Sequence, residues 1–227
     1  MLKLNLGCGS HIPSGWVNVD YALGAWIAKL PVFSIINKTF KIINFDWSDK
    51  IFMHDLRKKF PWEDNSVDVV YSSHTLEHLS KTEGQHFLKE CHRVLKPNGI
   101  IRIIVPDLRA IVNKYTQGEI AADEMLDELY VSYDSPRDGA LKRKLAPFIR
   151  FPHKCMYDTP ALLRIMSEIG FEVASRQAFE SEIEDVRAIE RSSRTDEAVI
   201  IEGKKISAPR YKPVNSVQSD PLVGQRS

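Results

Sequence analysis

Only three cysteines occur in 227 residues, Cys8, Cys91 and Cys155, and no two of them share a Cys-x-x-Cys or other metal spacing. That excludes a disulfide framework and a zinc cage built on cysteine, and it fits a reducing cytoplasm. An excess of charge of one sign is lacking as well. The 31 Lys/Arg and 30 Asp/Glu leave a formal net charge of +1, so nothing global points to nucleic acid or to a membrane surface, and any electrostatic preference is local. No window approaches the roughly 20 consecutive apolar residues of a membrane span, and no basic region precedes a long apolar run. The expectation is a cytosolic protein with no span and no nucleic-acid partner.

What is present is the composition of an ordinary globular protein, 43% hydrophobic and 27% charged, in a length that suits one domain with a sizeable core. We expect that domain over residues 1–203 and a disordered tail over 204–227, where three prolines and no apolar period occur. The chain opens on Leu4-Asn5-Leu6-Gly7-Cys8-Gly9, in which a short apolar strand ends in two glycines one residue apart. Such a turn lets a ligand approach backbone. Trp16 to Asp20 alternates like a second strand with a carboxylate at its tip. Only Ser10 to Gly15 lie between Gly9 and Trp16, whereas a parallel crossover normally takes a dozen or more residues. The link must therefore be an irregular turn or one short helical turn.

Residues 21–50 form an apolar insert of mixed periodicity, read either as a helical piece packed on the sheet edge, or as a lid or apolar acceptor patch. Ile51 to Leu56 reads as a third strand, again bringing a carboxylate, Asp55, to its end, and Val67 to Ser72 as a largely buried fourth. Ser80-Lys81-Thr82-Glu83 has the capping-box pattern, and Phe87, Leu88, Cys91, Val94 and Leu95 recur at helical spacing until Pro97-Asn98-Gly99. Ile100 to Val105 is a fifth strand, apolar except for Arg102. Asp107 caps a helix that Gly118 ends, and an acidic helix follows. Thr159 is the expected cap of a further helix with Pro160 at its first position and Gly170 at its end. Two late strands lie at 171–173 and 197–202. Alternation of this kind predicts an α/β fold.

The strand ends carrying Gly7 and Gly9, Asp20, Asp55 and Ser72-Ser73-His74 all fall at the carboxyl edge of one predicted parallel sheet, the edge where open α/β sheets bind ligands. With Gly15 to Asp20, His54-Asp55-Leu56, Ser66 to Leu79 and Arg93 to Gly99, the chain resembles the class I S-adenosylmethionine-dependent methyltransferases, in particular the methyltransferase-11-like group associated with bacterial glycan and polysaccharide biosynthesis. The resemblance extends over residues 1 to about 105. It implies a Rossmann-like, mostly parallel seven-stranded sheet flanked by helices, with the last strand antiparallel. It also implies S-adenosylmethionine as cofactor, held by Asn5, Gly7, Cys8, Gly9, Asp20, Asp55, Leu56, Ser72 and Ser73. The methionine carboxylate suits the amides of Gly7, Cys8 and Gly9, the ribose diol suits Asp20, and the adenine amino group suits Asp55 beside the Leu56 amide. Asn5 stands where the family commonly has an acidic residue, and the usual third glycine is absent.

Two histidines, His74 past the fourth strand and His153 in a later basic segment, are the titratable candidates for removing an acceptor proton. Each can also be read as a structural side chain, His74 first of all as a hydrogen bond that shapes the cofactor pocket. The resemblance implies O-methylation of a sugar or glycan precursor; a lipid-like or quinone-like acceptor, or a non-catalytic cofactor-binding partner protein, are the alternatives. The basic, irregular segment 134–154 sets six Lys/Arg between Arg137 and Lys154 against Asp138, either as a solvated loop or as a site for a phosphate on a nucleotide-linked or lipid-linked acceptor. His74-Thr75-Leu76-Glu77-His78 also satisfies the H-x-x-E-H pattern of inverted zinc peptidases. A third ligand cannot be picked out of the sequence, so no metal is assigned.

Overall fold

A computed structural model describes residues 1–21, 50–131 and 152–206. Nearly all of the insert 21–50, most of the basic segment 134–154 and all but the start of the expected tail lie outside the described residues. Seven strands form one sheet in the order β3-β2-β1-β4-β5-β7-β6: β1 Lys3–Leu6, β2 Val17–Asp20, β3 Phe52–Met53, β4 Val67–Ser73, β5 Leu95–Pro106, β6 Phe171–Ser175 and β7 Ala198–Lys205. Strands β1 to β5 are mutually parallel through their neighbours, and β7 runs antiparallel between β5 and β6. The expected Rossmann-like α/β sheet with an antiparallel last strand is therefore present. Residues Lys204 and Lys205, expected in the tail, complete β7, and the expected third strand is cut to two residues.

The described helices are α1 Lys81–Val94, α2 Leu108–Thr116, α3 Ala122–Glu128, α4 Thr159–Ile169, α5 Val186–Ile189 and α6 Ser192–Thr195. The capping box on α1 forms as its sequence predicts, with Ser80 and Glu83 bonding reciprocally. At α4 the cap is Asp158 and not Thr159: its carboxylate accepts the Ala161 amide at 2.9 Å, while Thr159 has already entered the helix. Gly170 closes α4 in the left-handed region, at φ 114°.

Alternation along the central strands builds two cores. One side chain set (Leu4, Leu6, Val70, Ile101, Ile103, Ile201) packs under α1 and α4 through Phe87, Leu88, Cys91, Leu162 and Met166. The opposite set (Val69, Tyr71, Ile104, Ile200) meets Trp16, Ile183, Val186 and Ile189. The second face is thus covered by the connection between β6 and β7. Arg102 pins that connection. It is fully buried, and its guanidinium donates to Glu190 at 2.6 and 3.1 Å, to Glu202 at 3.2 Å and to the carbonyls of Gln177 and Glu180. The lone charge in an apolar strand is a satisfied structural hub.

The short link from β1 to β2 is made of irregular turns, without a helix. Two asparagines hold it. The buried amide of Asn5 donates to the His11 carbonyl at 3.1 Å and to Asn18 Oδ1 at 2.8 Å, and Asn18 donates in turn to the carbonyls of Pro13 and Trp16. Trp16 is drawn onto Asp185 of the covering connection by a 3.0 Å hydrogen bond.

Candidate functional site

Because β1, β2, β3 and β4 are parallel, their ends open on one edge. Chain order reverses at β1, with β2 on one side and β4 on the other, so the loops after β1 and β4 part there and leave a crevice. Gly7 to Gly9 follow β1 and Ser73 to Thr75 follow β4, with Thr75 packed directly against Gly7.

The two glycines do different work. A Cβ on Gly7 would lie 1.9 Å from Thr75 Oγ1, so Gly7, at φ +75°, is required by the side chain packed on it; a Cβ on Gly9, at φ +54°, would meet nothing within 4 Å. Gly9 is the residue that faces open space. The amides of Gly7 and Cys8 both donate to the Val19 carbonyl, at 2.9 and 3.0 Å, and the Gly9 amide donates to Asp20 Oδ2 at 2.8 Å. In this conformation the three N–H groups expected to receive a carboxylate are engaged within the protein. Asn5 is likewise turned inward onto the link described above. Cys8 is buried, and burial first, with Asp20 second, pushes its thiol up to about 12, so it is no nucleophile at neutral pH.

Asp20 ends β2 with its carboxylate beside the turn, accepting from Gly9 and, at 2.7 Å, from the Tyr21 amide. Asp20 pairs in register with Met53, and the His54 amide donates to the Asp20 carbonyl at 3.2 Å, which brings Asp55 to the same edge. Asp55 is buried and bound by both oxygens to Arg57, at 2.8 Å each. The Arg57 hydrogen bonds hold its carboxyl below the usual carboxylate range, against the opposing effect of burial. Arg57 was not foreseen, although an arginine two residues past a strand-end aspartate is a legible signal. Leu56 is buried, and Ser72 Oγ donates to the Leu6 carbonyl at 3.0 Å, tying β4 to β1.

His74 sits at φ +52°, a left-handed conformation that histidine tolerates better than most residues. Its Nε2 lies 2.9 Å from the Arg194 carbonyl, which can only accept, and its Nδ1 lies 3.3 Å from Glu77 Oε1. Both ring nitrogens therefore have protein neighbours. Glu77 and His78 follow on the 3-10 turn Leu76–His78. The segment after residue 151 returns along the same edge: Lys154 and Cys155 donate their amides to the Glu77 carbonyl at 2.7 and 3.2 Å, and Tyr157 bridges to Asp107 beyond β5. That return sets the His153 ring 5.0 Å from the His78 ring. Burial pushes the His153 imidazole down. The structure thus brings His74 and His153 together around Glu77, a residue sequence reasoning held only as part of a motif.

Residues 4–103 match the family model described as methyltransferase domain. The match spans the loops that follow β1, β2, β3 and β4. It identifies S-adenosylmethionine as the cofactor, and the chemistry present suits it: two carboxylates at adjacent strand ends are acceptors for hydroxyl and amino donors, and the Gly9 surface is open. No curated protein matches the chain. Among solved structures, a protein described as an S-adenosylmethionine-dependent methyltransferase from Methanosarcina mazei aligns at a TM-score of 0.51 with 14% identity, over 90% of this chain and 92% of that one. One described in the same terms from Archaeoglobus fulgidus aligns at 0.47 with 18% identity, over 89% and 85%. The first of these is a likeness of fold. Among the described residues no helix is long and apolar enough to cross a membrane.

Proposed function

We propose that the chain transfers a methyl group from S-adenosylmethionine to a hydroxyl oxygen of a sugar or glycan precursor. The observation that carries the reading is the polar character of the edge beside the glycine turn, where Thr75 packs against Gly7 and His74, His78 and His153 gather around the buried Glu77. Such an edge fits a hydroxylated acceptor better than an apolar one, and the resemblance to enzymes of glycan biosynthesis supports the sugar.

When bound, the sulfonium supplies an electrophilic methyl carbon. The chain's part is to align and to exclude water. Asp20 suits the ribose diol, Asp55 the adenine amino group with Leu56 beside it, and Gly9 the close approach. Arg57 keeps the Asp55 carboxyl ionised and oriented; Oδ1 accepts both its amide and its Nε, which leaves the further lone-pair direction on Oδ2. On the acceptor side, His74 and His153 are the residues assigned to the hydroxyl and its proton.

Replacing Asp20 by Ala tests the cofactor half. A hydrogen bond to a charged acceptor is worth roughly 1.5–3 kcal/mol, so S-adenosylmethionine affinity should fall about ten- to a hundred-fold by calorimetry. Unchanged affinity would sink the assignment. Incubation with methyl-labelled cofactor and a panel of hydroxylated sugars tests the acceptor half, with label expected on oxygen.

A further inference from the structure

The side chain of Glu77 has no exposure, and neither of its oxygens has a hydrogen bond. An ionised carboxylate in that state costs several kcal/mol unless a cation compensates it. No lysine or arginine forms an ion pair with it among the described residues. The basic atoms near Oε1 are His74 Nδ1 at 3.3 Å and His78 Nε2 at 4.0 Å. His153 adds a second orphan, since its Nδ1 is buried and also without a hydrogen bond. One ligand atom from each of Glu77, His78 and His153 can be chosen so that all three lie within 4.8 Å of one another.

We propose that Glu77, His78 and His153 bind a divalent transition-metal ion, with zinc the best match. Two imidazoles and one carboxylate are a donor set that zinc uses where it keeps open positions for other oxygens. Bond lengths of about 2.0–2.1 Å require the three side chains to draw inward by roughly an ångström from their present spacing, a movement that rotation of His78 and His153 supplies. The surrounding bonds already favour it. His78 Nδ1 lies 3.4 Å from the Pro152 carbonyl, which leaves Nε2 as the ligand atom. The amides of Lys154 and Cys155 grip the carbonyl of Glu77 itself, so the third ligand is held in place against the first. His74, fixed through Nε2 to the Arg194 carbonyl, is a positioning residue for the Glu77 carboxylate.

The ion's binding stands on these residues alone; its role rests on the methyltransferase reading. Thr75, one residue before the 3-10 turn, packs against Gly7 of the cofactor turn, so the ion adjoins the donor site. There it is a Lewis acid for the acceptor hydroxyl. The O–H bond breaks and its proton passes to the His74 imidazole, whose Nδ1 can accept while Nε2 donates to the Arg194 carbonyl; an oxygen lone pair forms the new O–C bond, and the S–C bond breaks with its electrons returning to sulfur, which becomes a neutral thioether. The role of His153 in handling the acceptor proton is then exerted through the ion.

The test uses the full chain without a purification tag, stripped with chelator and titrated with zinc by calorimetry, with cobalt absorption as a second readout. One ion per chain is expected, with affinity lower by about 100-fold or more in both Glu77→Gln and His153→Ala, and with the cobalt bands lost. His153 is only partly buried, so His153→Ala serves as the variant whose fold survives, checked by circular dichroism. Absence of stoichiometric binding, or binding unchanged in both variants, overturns the proposal and leaves a plain His74–Glu77 pair. Titration of S-adenosylmethionine into the same samples separates the two readings: loss of cofactor binding in a chain that still takes zinc counts against the methyltransferase and not against the ion.

Discussion

At Gly7 and Gly9 the same residue type answers two different demands, and substitution should separate them. Gly7→Ala places a methyl group inside the Thr75 side chain at a backbone conformation unfavourable to L residues, so it should cost about 1–3 kcal/mol of stability. Gly9→Ala meets open space and should cost only the conformational strain, roughly 1–2 kcal/mol or less, while weakening cofactor binding because its new methyl stands where the ligand approaches. Thermal midpoints and calorimetry on the two variants check this; equal cofactor affinity in Gly9→Ala and the parent would remove Gly9 from the site. The glycine pair was legible as a turn from spacing alone. Which glycine its neighbours require was not, because the answer depends on Thr75, 68 residues later in the chain.

A second residue-scale expectation concerns acid. Glu90 accepts from Arg93 at 2.9 and 2.7 Å and from the Phe60 amide at 2.7 Å. The Arg93 hydrogen bonds hold its carboxyl below the usual range, burial opposes them, and the Phe60 amide adds to them. A carboxyl lower in the folded state than the unfolded value of about 4.3 contributes stability that is complete above that value and lost as pH falls through the folded one. Glu90→Gln should lower stability at pH 7 by about 1–3 kcal/mol and flatten the decline on acidification below about pH 5. Urea midpoints measured from neutral pH down to pH 3 decide it, and parallel curves for parent and variant would contradict it.

Among the elements, the connection from β6 to β7 carries the most unexpected burden. With no helix between β1 and β2, one face of the sheet needs another cover, and residues 177–190 supply it through Ile183, Val186, Ile189 and the Arg102 hub. Arg102→Met leaves Glu190 and Glu202 buried without their cation, so a loss of about 3–5 kcal/mol is expected. Hydrogen exchange should show the opening concentrated in 177–190, and a variant as stable as the parent would mean the hub is dispensable. The same connection delivers the Arg194 carbonyl to His74, so cofactor-edge geometry should loosen with it. Helix limits were readable where local chemistry fixes them, as at Ser80 and Gly170. At α4 the cap moved by one residue because Asp158 and Thr159 are both competent caps and only the arriving backbone chooses between them.

For the whole molecule, the order of strands explains why scattered residues meet at one edge of the sheet. Chain reversal at β1 opens the crevice, parallel neighbours bring Gly9, Asp20, Asp55 and His74 to its rim, and the return of residues 152–157 along the same edge adds His153. The zinc titration and the Asp20→Ala measurement probe the two parts of that edge separately, the one at Glu77, His78 and His153 and the other at the end of β2.

The sequence by itself determined the α/β class, the antiparallel last strand through its family resemblance, and the strand-end residues, because hydrophobic period, turn chemistry and caps are local properties. Only the tertiary structure decided that Asn5 braces the link, that Arg57 occupies Asp55, that Gly7 answers to Thr75, and that His153 stands opposite Glu77. Those are contacts between residues far apart in the chain or turned by the backbone around them, and no spacing along the sequence encodes them.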